Sequence, residues 1–439
     1  MNRIDLDYAD YETVSKRQTV LLKTTLQYLA LHSEYYQSVF NKKRIQISRF
    51  NSMEDLAGLP ITTKADLLQN NPQFFCSVSP SDTVMTSGST GARPIVHPLT
   101  ALDLRRLAYN EQVSFQTAGI HKGDTVMLAT ALDGSFVAGL AYYLGLREIG
   151  CNILRTGAKN YNLQMNMIAR GACNAIIGVP SNLLRLSSLC GDNGASAGLS
   201  CVNKLVLIGE SIRKADFTLN QLGQRLSRSY LNAGLYSTYA NTETCSSFCE
   251  CKAGQGGHLS PELAYAEIVD ENGQRVPDET PGRLLLTTFG AHGMPLLRYD
   301  TGDITFKCSG PCSCGRTSTR IGPILSRTNT LFKIHGITFS QAQVEELLLA
   351  ESCVLDYCVV VNKGQENTRS MTVWISSGHS DEKEQSVSKI KARIWDNIRI
   401  NADVRICDEE KLKNLQASTG ARKPVRFLIN KGPGEDEQL

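Results

Sequence analysis

A run of small and hydroxyl-bearing residues between positions 86 and 94 is suited to hold a polyphosphate. It reads TSGSTGARP. Small residues let backbone N–H groups turn inward around phosphate oxygens, and the hydroxyls add further donors. The spacing is not that of a Walker loop, which requires G-x-x-x-x-G-K-[ST]. Taken by itself, such a run is more often a Ser/Gly surface turn.

Three later segments contain carboxylates, and in two of them the carboxylates lie near hydroxyl and aromatic residues. They are Gly209-Glu210, the run YSTYANTE over residues 236–243, and the run YDTGD over residues 299–303. Considered alone, three residues of the two longer runs have ordinary explanations. Glu243 would be a solvated loop acid, Asp303 a turn-forming acid, and Tyr236 a half-buried core residue.

Six of the 14 cysteines lie in two short windows, at 245–251 and 308–314. Soft ligands from two separated loops suit a tetrahedral structural Zn²⁺ site. The ligands predicted are Cys251, His258, Cys312 and Cys314. Whether Cys308 replaces one of them stays open, and the alternative is that these cysteines are small buried apolar residues.

The elements that must position these segments follow from hydrophobic periodicity. Residues 14–40 are apolar at three- and four-residue spacing, which predicts an amphipathic helix, and the run from Leu59 to Asp66 predicts a turn with a threonine cap that opens a second, short helix. From about residue 84 to 330, strand-like runs alternate with helical stretches, which favours a largely parallel, helix-covered α/β sheet. The runs that predict strands are 126–132, 174–180 and 204–209.

The pattern changes after Arg327. Strand-like runs at 356–361 and 371–376 precede a charged helical stretch at 380–399 and a final strand at 403–407. This order predicts a small α+β domain of ordinary size. The expected domains are therefore 1–327 and 328–439.

Composition narrows the class of protein. Lys plus Arg (46) against Asp plus Glu (43) leaves a net charge of +3, so a dedicated nucleic-acid binder is not expected. No apolar run reaches the ~18 residues of a spanning helix, and the first residues lack the apolar core of a secretory signal. We therefore expect a cytoplasmic protein with reduced thiols and no membrane partner.

Taken together and in order, these motifs resemble those of the acyl-adenylate-forming superfamily. The similarity is greatest to its short branch, phenylacetate–coenzyme A ligase and related aryl-acid ligases. It extends over nearly the whole chain. Besides the motifs above, the matching segments are Leu59-Pro60 with Thr62-Thr63-Lys64, the run GVPS at 178–181, and Lys333–Gly336. Some short-branch relatives also share the spacing of Glu250–His258 and of Cys312–Gly315.

The resemblance implies a fold with a large N-terminal adenylate-forming domain of helix-covered sheets and a small mobile α+β C-terminal domain. It implies that ATP and Mg²⁺ activate a carboxylic acid as acyl-AMP. Glu243 would hold Mg²⁺ and Thr242 would lie beside the α-phosphate. The implied nucleotide-binding residues are Ser87, Gly88, Ser89, Thr90, Gly91, Gly209, Glu210, Tyr239, Asp303 and Arg327.

The second half-reaction would transfer the acyl group to coenzyme A. Phe136 and Gly139 lie in the stretch that lines the acid pocket in relatives, and they suggest a flat aromatic acid. An equally good explanation of that stretch is a helix start packed on the sheet. The acceptor could instead be a carrier-protein phosphopantetheine or an amine. A non-catalytic nucleotide-binding relative is a further alternative, and a homodimer is compatible with the resemblance.

The catalytic lysine segment departs from the family pattern. Relatives carry Ser-x-Gly-Lys-x-x-Arg, whereas residues 418–426 read STGARKPVR. Lys423 keeps the lysine spacing to Arg426 and is the predicted catalytic lysine, with Arg422 as the alternative. The arginine guanidinium is planar with several donors, whereas the lysine ammonium is a compact charge. An arginine in place of the family's lysine would therefore not be a conservative substitution. The hinge also departs, because Arg327 is followed by Thr-Asn-Thr rather than by acids.

Overall fold

The computed structural model describes ten stretches of the chain. These are residues 6–86, 94–192, 194, 196–328, 331–334, 337–351, 353–363, 369–377, 383–417 and 425–430. The described residues fall into two compact units, which contain residues up to 325 and residues from 326 onward.

The first unit alternates helices and strands along most of its length. Its helices are α1 (Tyr11–His32), α2 (Glu34–Lys43), α3 (Lys64–Asn70), α4 (Ala101–Thr117), α5 (Val137–Ile149), α6 (Tyr161–Ala169), α7 (Pro180–Asp192), α8 (Ser196–Leu199) and α9 (Gln221–Ser229). Its strands are β1 (Asp82–Met85), β2 (Val96–Leu99), β3 (Thr125–Ala129), β4 (Asn152–Arg155), β5 (Ala175–Gly178), β6 (Lys204–Ile208), β7 (Gly234–Asn241), β8 (Ser246–Glu250), β9 (Gly257–His258), β10 (Ala264–Val269), β11 (Gly282–Thr288), β12 (Tyr299–Thr305), β13 (Lys307–Cys308) and β14 (Arg320–Ile321).

The main sheet joins a parallel half to an antiparallel half. Among the described residues its strand order is β13-β14-β9-β8-β7-β6-β5-β3-β4. Strands β4, β3, β5, β6 and β7 are parallel, and β8, β9, β14 and β13 continue antiparallel. In the parallel half, α5, α6 and α7 connect successive strands, as βαβ units require.

The predicted strands of the parallel half are confirmed. The run 126–132 contains most of β3, 174–180 contains β5, and 204–209 contains β6. Every residue of β5 is buried, and β3 and β6 each leave one partly exposed residue at the first position. Parallel strands covered by helices on both faces carry continuous apolar runs, which explains why the sequence identified them.

The prediction of one helix over residues 14–40 is wrong at a single point. Helix α1 ends at His32 and α2 begins at Glu34, because Ser33 has an extended backbone with φ −111° and ψ 115°. The Ser33 hydroxyl accepts from the Tyr36 N–H at 3.4 Å and so caps α2. A serine that caps a helix start competes with helix continuation, which periodicity does not register. The predicted threonine cap of α3 is confirmed; the residue is Thr63, and Asp66 completes a capping box.

A second sheet of the first unit carries one of the motifs. Strands β10, β11 and β12 are antiparallel, with Ala264 paired to Thr288 and Leu286 to Tyr299. The motif YDTGD begins β12. Strand β7 ends one residue before Thr242, so β7 and β12 carry the two principal acidic motifs.

The second unit is an α+β structure, as predicted. Its elements are β15 (Ser326–Arg327), β16 (Leu331–Ile334), β17 (Ile337–Ser340), α10 (Gln341–Leu349), β18 (Val354–Lys363), β19 (Arg369–Ser377), α11 (Lys383–Ile398), β20 (Ala402–Ile406), α12 (Glu409–Ala417) and β21 (Phe427–Asn430). Strands β18 and β19 are antiparallel, and β21 and β20 add in parallel at the two sides. None of the helices in the described ranges is both long and apolar enough to cross a membrane.

Candidate active site

Glu243 lies in the short turn between β7 and β8. The Thr244 N–H donates to Asn241 Oδ1 at 3.1 Å, and the Cys245 N–H donates to the Thr242 carbonyl at 3.3 Å. Glu243 is buried, with 8% of its surface exposed. The Tyr299 hydroxyl contacts its carboxylate, and burial together with this negative charge raises the pKa of Tyr299. The turn therefore presents a buried carboxylate that could take part in holding a cation.

Tyr239 and Asp303 meet across the two sheets of the first unit. The Tyr239 hydroxyl donates to Asp303 Oδ2 at 2.7 Å. The Tyr239 ring stacks on Phe248, with centroids 4.9 Å apart. Asp303 is buried in the second half of β12, where its N–H donates to the Thr301 hydroxyl. The structure thus brings together an aromatic face and a carboxylate, the two features predicted for adenosine binding.

Gly209 and Glu210 follow the end of β6. Gly209 has φ +78°, a left-handed conformation that glycine adopts without steric cost. The Glu210 carboxylate accepts from the Ser181 N–H at 2.9 Å and from the Ser181 hydroxyl at 2.8 Å. This links the end of β6 to the first turn of α7. The backbone of residues 209 and 210 is thereby fixed at the carboxyl edge of the parallel strands, where α/β sheets bind ligands.

Phe136 and Gly139 lie at the start of α5. Phe136 precedes the helix and packs, half buried, against the core. A β-carbon at Gly139 would be 1.9 Å from the Ala131 carbonyl oxygen, so only glycine fits there. Close packing of α5 on the end of β3 therefore explains the glycine, and contact of these two residues with the acid stays a prediction.

Several predicted site residues lie outside the described residues. They are Ser87, Gly88, Ser89, Thr90 and Gly91 of the phosphate run, and Lys423 with its alternative Arg422. Residues 85 and 96, which flank the phosphate run, are paired in the antiparallel β1–β2 ladder. Arg327 is described at the end of β15, where it is exposed.

The four predicted metal ligands come together in space. The ligand atoms of Cys251, His258, Cys312 and Cys314 all lie within 4.8 Å of one another. The Cys251 and Cys312 sulfurs are 3.6 Å apart, and the Cys314 sulfur is 3.6 Å from His258 Nε2. Bonds of about 2.3 Å to a tetrahedral Zn²⁺ place two sulfurs about 3.8 Å apart. The cluster therefore fits the size of such a site.

The charge states of two cluster members, His258 and Cys314, also suit a metal, whereas burial raises the pKa of Cys251 to about 12. Burial and the nearby Arg316 and Arg320 lower the pKa of His258 to about 4, so its ring is neutral near pH 7. Burial raises the pKa of Cys314, but donors that include the Arg316 backbone and guanidinium outweigh it and lower this pKa to about 7. His258 Nδ1 is 3.2 Å from the Ser318 hydroxyl, which leaves Nε2 facing the sulfurs. Cys308 is not among the four ligands.

A family model described as "AMP-binding enzyme" matches residues 34–292, which is more than half of the chain. The chain belongs to that family. Its similarity to curated members extends well beyond the matched segment. A phenylacetate-coenzyme A ligase of Thermus thermophilus is 29% identical over 83% of this chain and 81% of its own length. The Escherichia coli ligase of the same name is 25% identical over 91% of this chain and 92% of its own.

Solved structures show that the AMP-binding fold is shared. A 2-hydroxyisobutyryl-CoA ligase, solved in the postadenylation state with 2-HIB-AMP, has a TM-score of 0.84 and covers 98% of this chain and 94% of its own. Its sequence identity is 17%, so this comparison concerns the fold. The anthranilate CoA ligase bound to anthranoyl-AMP is more distant, with a TM-score of 0.54 over 74% of this chain and 62% of its own.

Two residues beside the Glu243 turn were missed by sequence reasoning. Arg106 of α4 donates to the Cys245 carbonyl at 2.9 Å. His97 of β2 lies 3.8 Å from the Cys245 sulfur, and burial lowers the pKa of His97 to about 4, which makes it neutral. Burial raises the pKa of Cys245 to about 12, so this thiol is protonated near pH 7. Neither Arg106 nor His97 lies in a motif, and nothing local distinguished them.

Proposed function

We propose that this AMP-binding enzyme uses ATP to join a carboxylic acid, most simply an aryl acid, to coenzyme A in two steps. The carboxylate of the acid first attacks the α-phosphate of ATP and expels pyrophosphate, which gives an acyl-adenylate, and the thiolate of coenzyme A then displaces AMP. The observation that carries the proposal is the meeting of Tyr239 with Asp303 beside the buried Glu243 turn. The ligase names of the most similar curated relatives support it.

The nucleotide would be held mainly by the first unit. Asp303 offers two carboxylate oxygens to the ribose hydroxyls, and Tyr239 offers its ring to the adenine. Gly209 and Glu210 would line the adenine slot through their backbone groups. The residues 87–91 would surround the β- and γ-phosphates, and Arg327 would reach the ribose.

The first step brings two anions together, the carboxylate of the acid and the α-phosphate of ATP. Catalysis then depends on positioning and on neutralising charge. Mg²⁺, which takes carboxylate and phosphate oxygens as ligands, would supply charge neutralisation when bound. Glu243 would hold it, Thr242 would lie beside the α-phosphate, and Lys423 would bridge the two reacting anions.

The second step needs a thiolate, which is reactive near neutral pH. We propose domains 1–327 and 328–439, with the second domain mobile. Its movement would carry Lys423 away and bring residues 333–336 to the acyl-adenylate. Phe136 and Gly139 would border the acid.

The cysteine cluster would hold a structural Zn²⁺ rather than a catalytic one. Three thiolates and one neutral imidazole form a closed four-ligand set, which leaves no position for water. Its role would be to fix the ends of β8 and β9 and the loop that contains Cys312 and Cys314.

The test is acid-dependent exchange of labelled pyrophosphate into ATP over a panel of aryl and alkyl acids. We expect exchange with at least one aryl acid, followed by thioester formation when coenzyme A is added. If exchange occurs without formation of the coenzyme A thioester, and a carrier protein is loaded instead, the acyl acceptor is the carrier protein. Absence of exchange with every acid, by protein that still binds ATP, would contradict an adenylating function.

A further inference from the structure

The turn that carries Glu243 has an unfavourable backbone conformation. Cys245 closes the turn with φ +46°, in the left-handed region. A residue with a β-carbon is strained there, and strain of this kind persists only where surrounding contacts impose it. The position of the Glu243 carboxylate, two residues earlier, therefore depends on whatever holds Cys245.

Among the groups that hold Cys245, the guanidinium of Arg106 is the one that fixes its carbonyl. Its Nη1 donates to the Cys245 carbonyl at 2.9 Å. Its Nε donates to the Phe289 carbonyl at 2.7 Å, and its Nη2 donates to the Leu263 carbonyl at 2.7 Å. The three carbonyls belong to segments far apart in sequence, so one planar fork fixes the turn against two other parts of the first unit.

Arg106 performs this role as a buried cation. It is 8% exposed, and within the described ranges no carboxylate forms an ion pair with it. Asp103, one turn earlier on α4, instead accepts from the backbone N–H groups of His292 and Gly293. Burying a charge is costly unless its donors are satisfied, and here carbonyl oxygens satisfy them. This arrangement differs from an ordinary buried salt bridge.

We propose that Arg106 is a positioning residue for Glu243. By fixing the Cys245 carbonyl, it holds residues 242–245 in the strained turn that presents the Glu243 carboxylate to Mg²⁺. The inference rests on the proposed function, in which Glu243 holds the Mg²⁺ of MgATP. Arg106 would not itself touch the nucleotide.

The test compares ATP binding with and without Mg²⁺, measured by calorimetry on the full-length protein. Arg106→Lys keeps the positive charge but loses the planar guanidinium that donates to three carbonyls. We expect it to reduce the gain in ATP affinity that Mg²⁺ provides by about tenfold. We expect Mg²⁺-free ATP affinity, which depends on Tyr239 and Asp303, to change less than about twofold.

A second substitution separates positioning from general scaffolding. Adding Cys245→Gly to Arg106→Lys should increase the gain in ATP affinity that Mg²⁺ provides by about fivefold over that of Arg106→Lys alone. The reason is that glycine adopts positive φ without strain. The matched control, Cys245→Ala in the same background, also removes the thiol but keeps the β-carbon, and should restore nothing. If Arg106→Lys does not fold, Arg106→Gln, which buries no charge, takes its place in both measurements.

An unchanged Mg²⁺ effect in a folded Arg106 variant would overturn the inference, whatever happens to thermal stability. Equal results for the glycine and alanine double variants would also overturn it. These outcomes differ from failure of the proposed function, which shows as wild-type protein that binds MgATP but exchanges no pyrophosphate with any acid.

Discussion

At the scale of single residues, two buried carboxylates in the first unit have different surroundings. Glu243 contacts the Tyr299 hydroxyl in a turn between strands. Glu111 lies inside α4, where Asn110 Nδ2 donates to its Oε1 at 2.9 Å and its Oε2 has no hydrogen-bond partner among the described residues. Burial raises the pKa of Glu111 to about 7, while hydrogen bonds from Ser247 and Asn110 oppose the rise.

Glu243→Gln tests the role assigned to the first carboxylate. Removing one charge from the predicted cation site should lower acid-dependent pyrophosphate exchange by about two to three orders of magnitude. The glutamine is isosteric, so the melting temperature should be nearly unchanged. Glu271→Gln, at an exposed glutamate, is the control. Normal pyrophosphate exchange by Glu243→Gln at saturating Mg²⁺ would show that Glu243 does not hold the cation.

Glu111→Gln tests the second carboxylate through the pH dependence of stability. In the unfolded chain this group ionises near pH 4.5, whereas in the folded protein it ionises only near pH 7. The folded state therefore loses stability relative to the unfolded state as pH rises from about 4.5 to about 7, and the loss levels off above that. Glutamine does not ionise, so it removes this loss.

We expect Glu111→Gln to be more stable than wild type at pH 8, by on the order of 1–3 kcal/mol, and to have no such advantage at pH 5. Denaturant unfolding at both pH values is the measurement. Glu148→Gln changes an exposed glutamate in a surface ion pair and should shift neither value by more than about 1 kcal/mol. A stability difference for Glu111→Gln that does not depend on pH would contradict the raised pKa.

At the scale of elements, the cysteine cluster joins segments that leave neighbouring strands of the main sheet. Cys251 follows β8, His258 ends β9, and Cys312 and Cys314 lie in the loop between β13 and β14. The same loop reaches the N-terminal segment, where the Thr317 N–H donates to the Asp7 carbonyl at 2.8 Å. A metal there would crosslink the antiparallel half of the main sheet.

Metal analysis of protein purified without chelator should therefore find about one zinc per chain. Cys314→Ser should lose the metal and lower the melting temperature by at least about 5 °C, because structural metal binding contributes to folding free energy. Cys201→Ser, at an exposed cysteine outside the cluster, should change neither quantity. If wild-type protein contains no metal and is fully stable, the four residues of the cluster are ordinary packed side chains and not metal ligands.

At the scale of the whole molecule, two half-reactions must share one acyl-adenylate. A lysine that acts only in the first half-reaction has a specific kinetic signature. Lys423→Ala should abolish acid-dependent pyrophosphate exchange but still convert supplied acyl-adenylate and coenzyme A to thioester. Arg422→Ala should leave both steps largely intact.

The reverse result would assign the closing cation to Arg422. If neither substitution affects exchange, the C-terminal segment supplies no catalytic cation. That result would support the hypothesis that the protein has altered chemistry or is a non-catalytic nucleotide-binding relative.

Much of the fold could be predicted from the sequence because its signals are local. Continuous apolar runs predicted β3, β5 and β6, and the threonine cap predicted the start of α3. The break at Ser33 was missed, since a serine that caps a helix looks the same in periodicity as one on its polar face. The ordered motifs led to the family, because the residue types that bind phosphate and ribose are chemically restricted.

The sequence by itself determined which residue types were available for chemistry and in what order. Only the tertiary structure decided which of them meet. The sequence predicted one site for Cys251 and Cys314 but left the part of Cys308 open, and the structure does not include Cys308 in the cluster. The structure also brought Arg106 to the Cys245 carbonyl across 139 residues of chain. Such contacts depend on how separate elements pack, and local sequence carries no periodic or spacing signal for them.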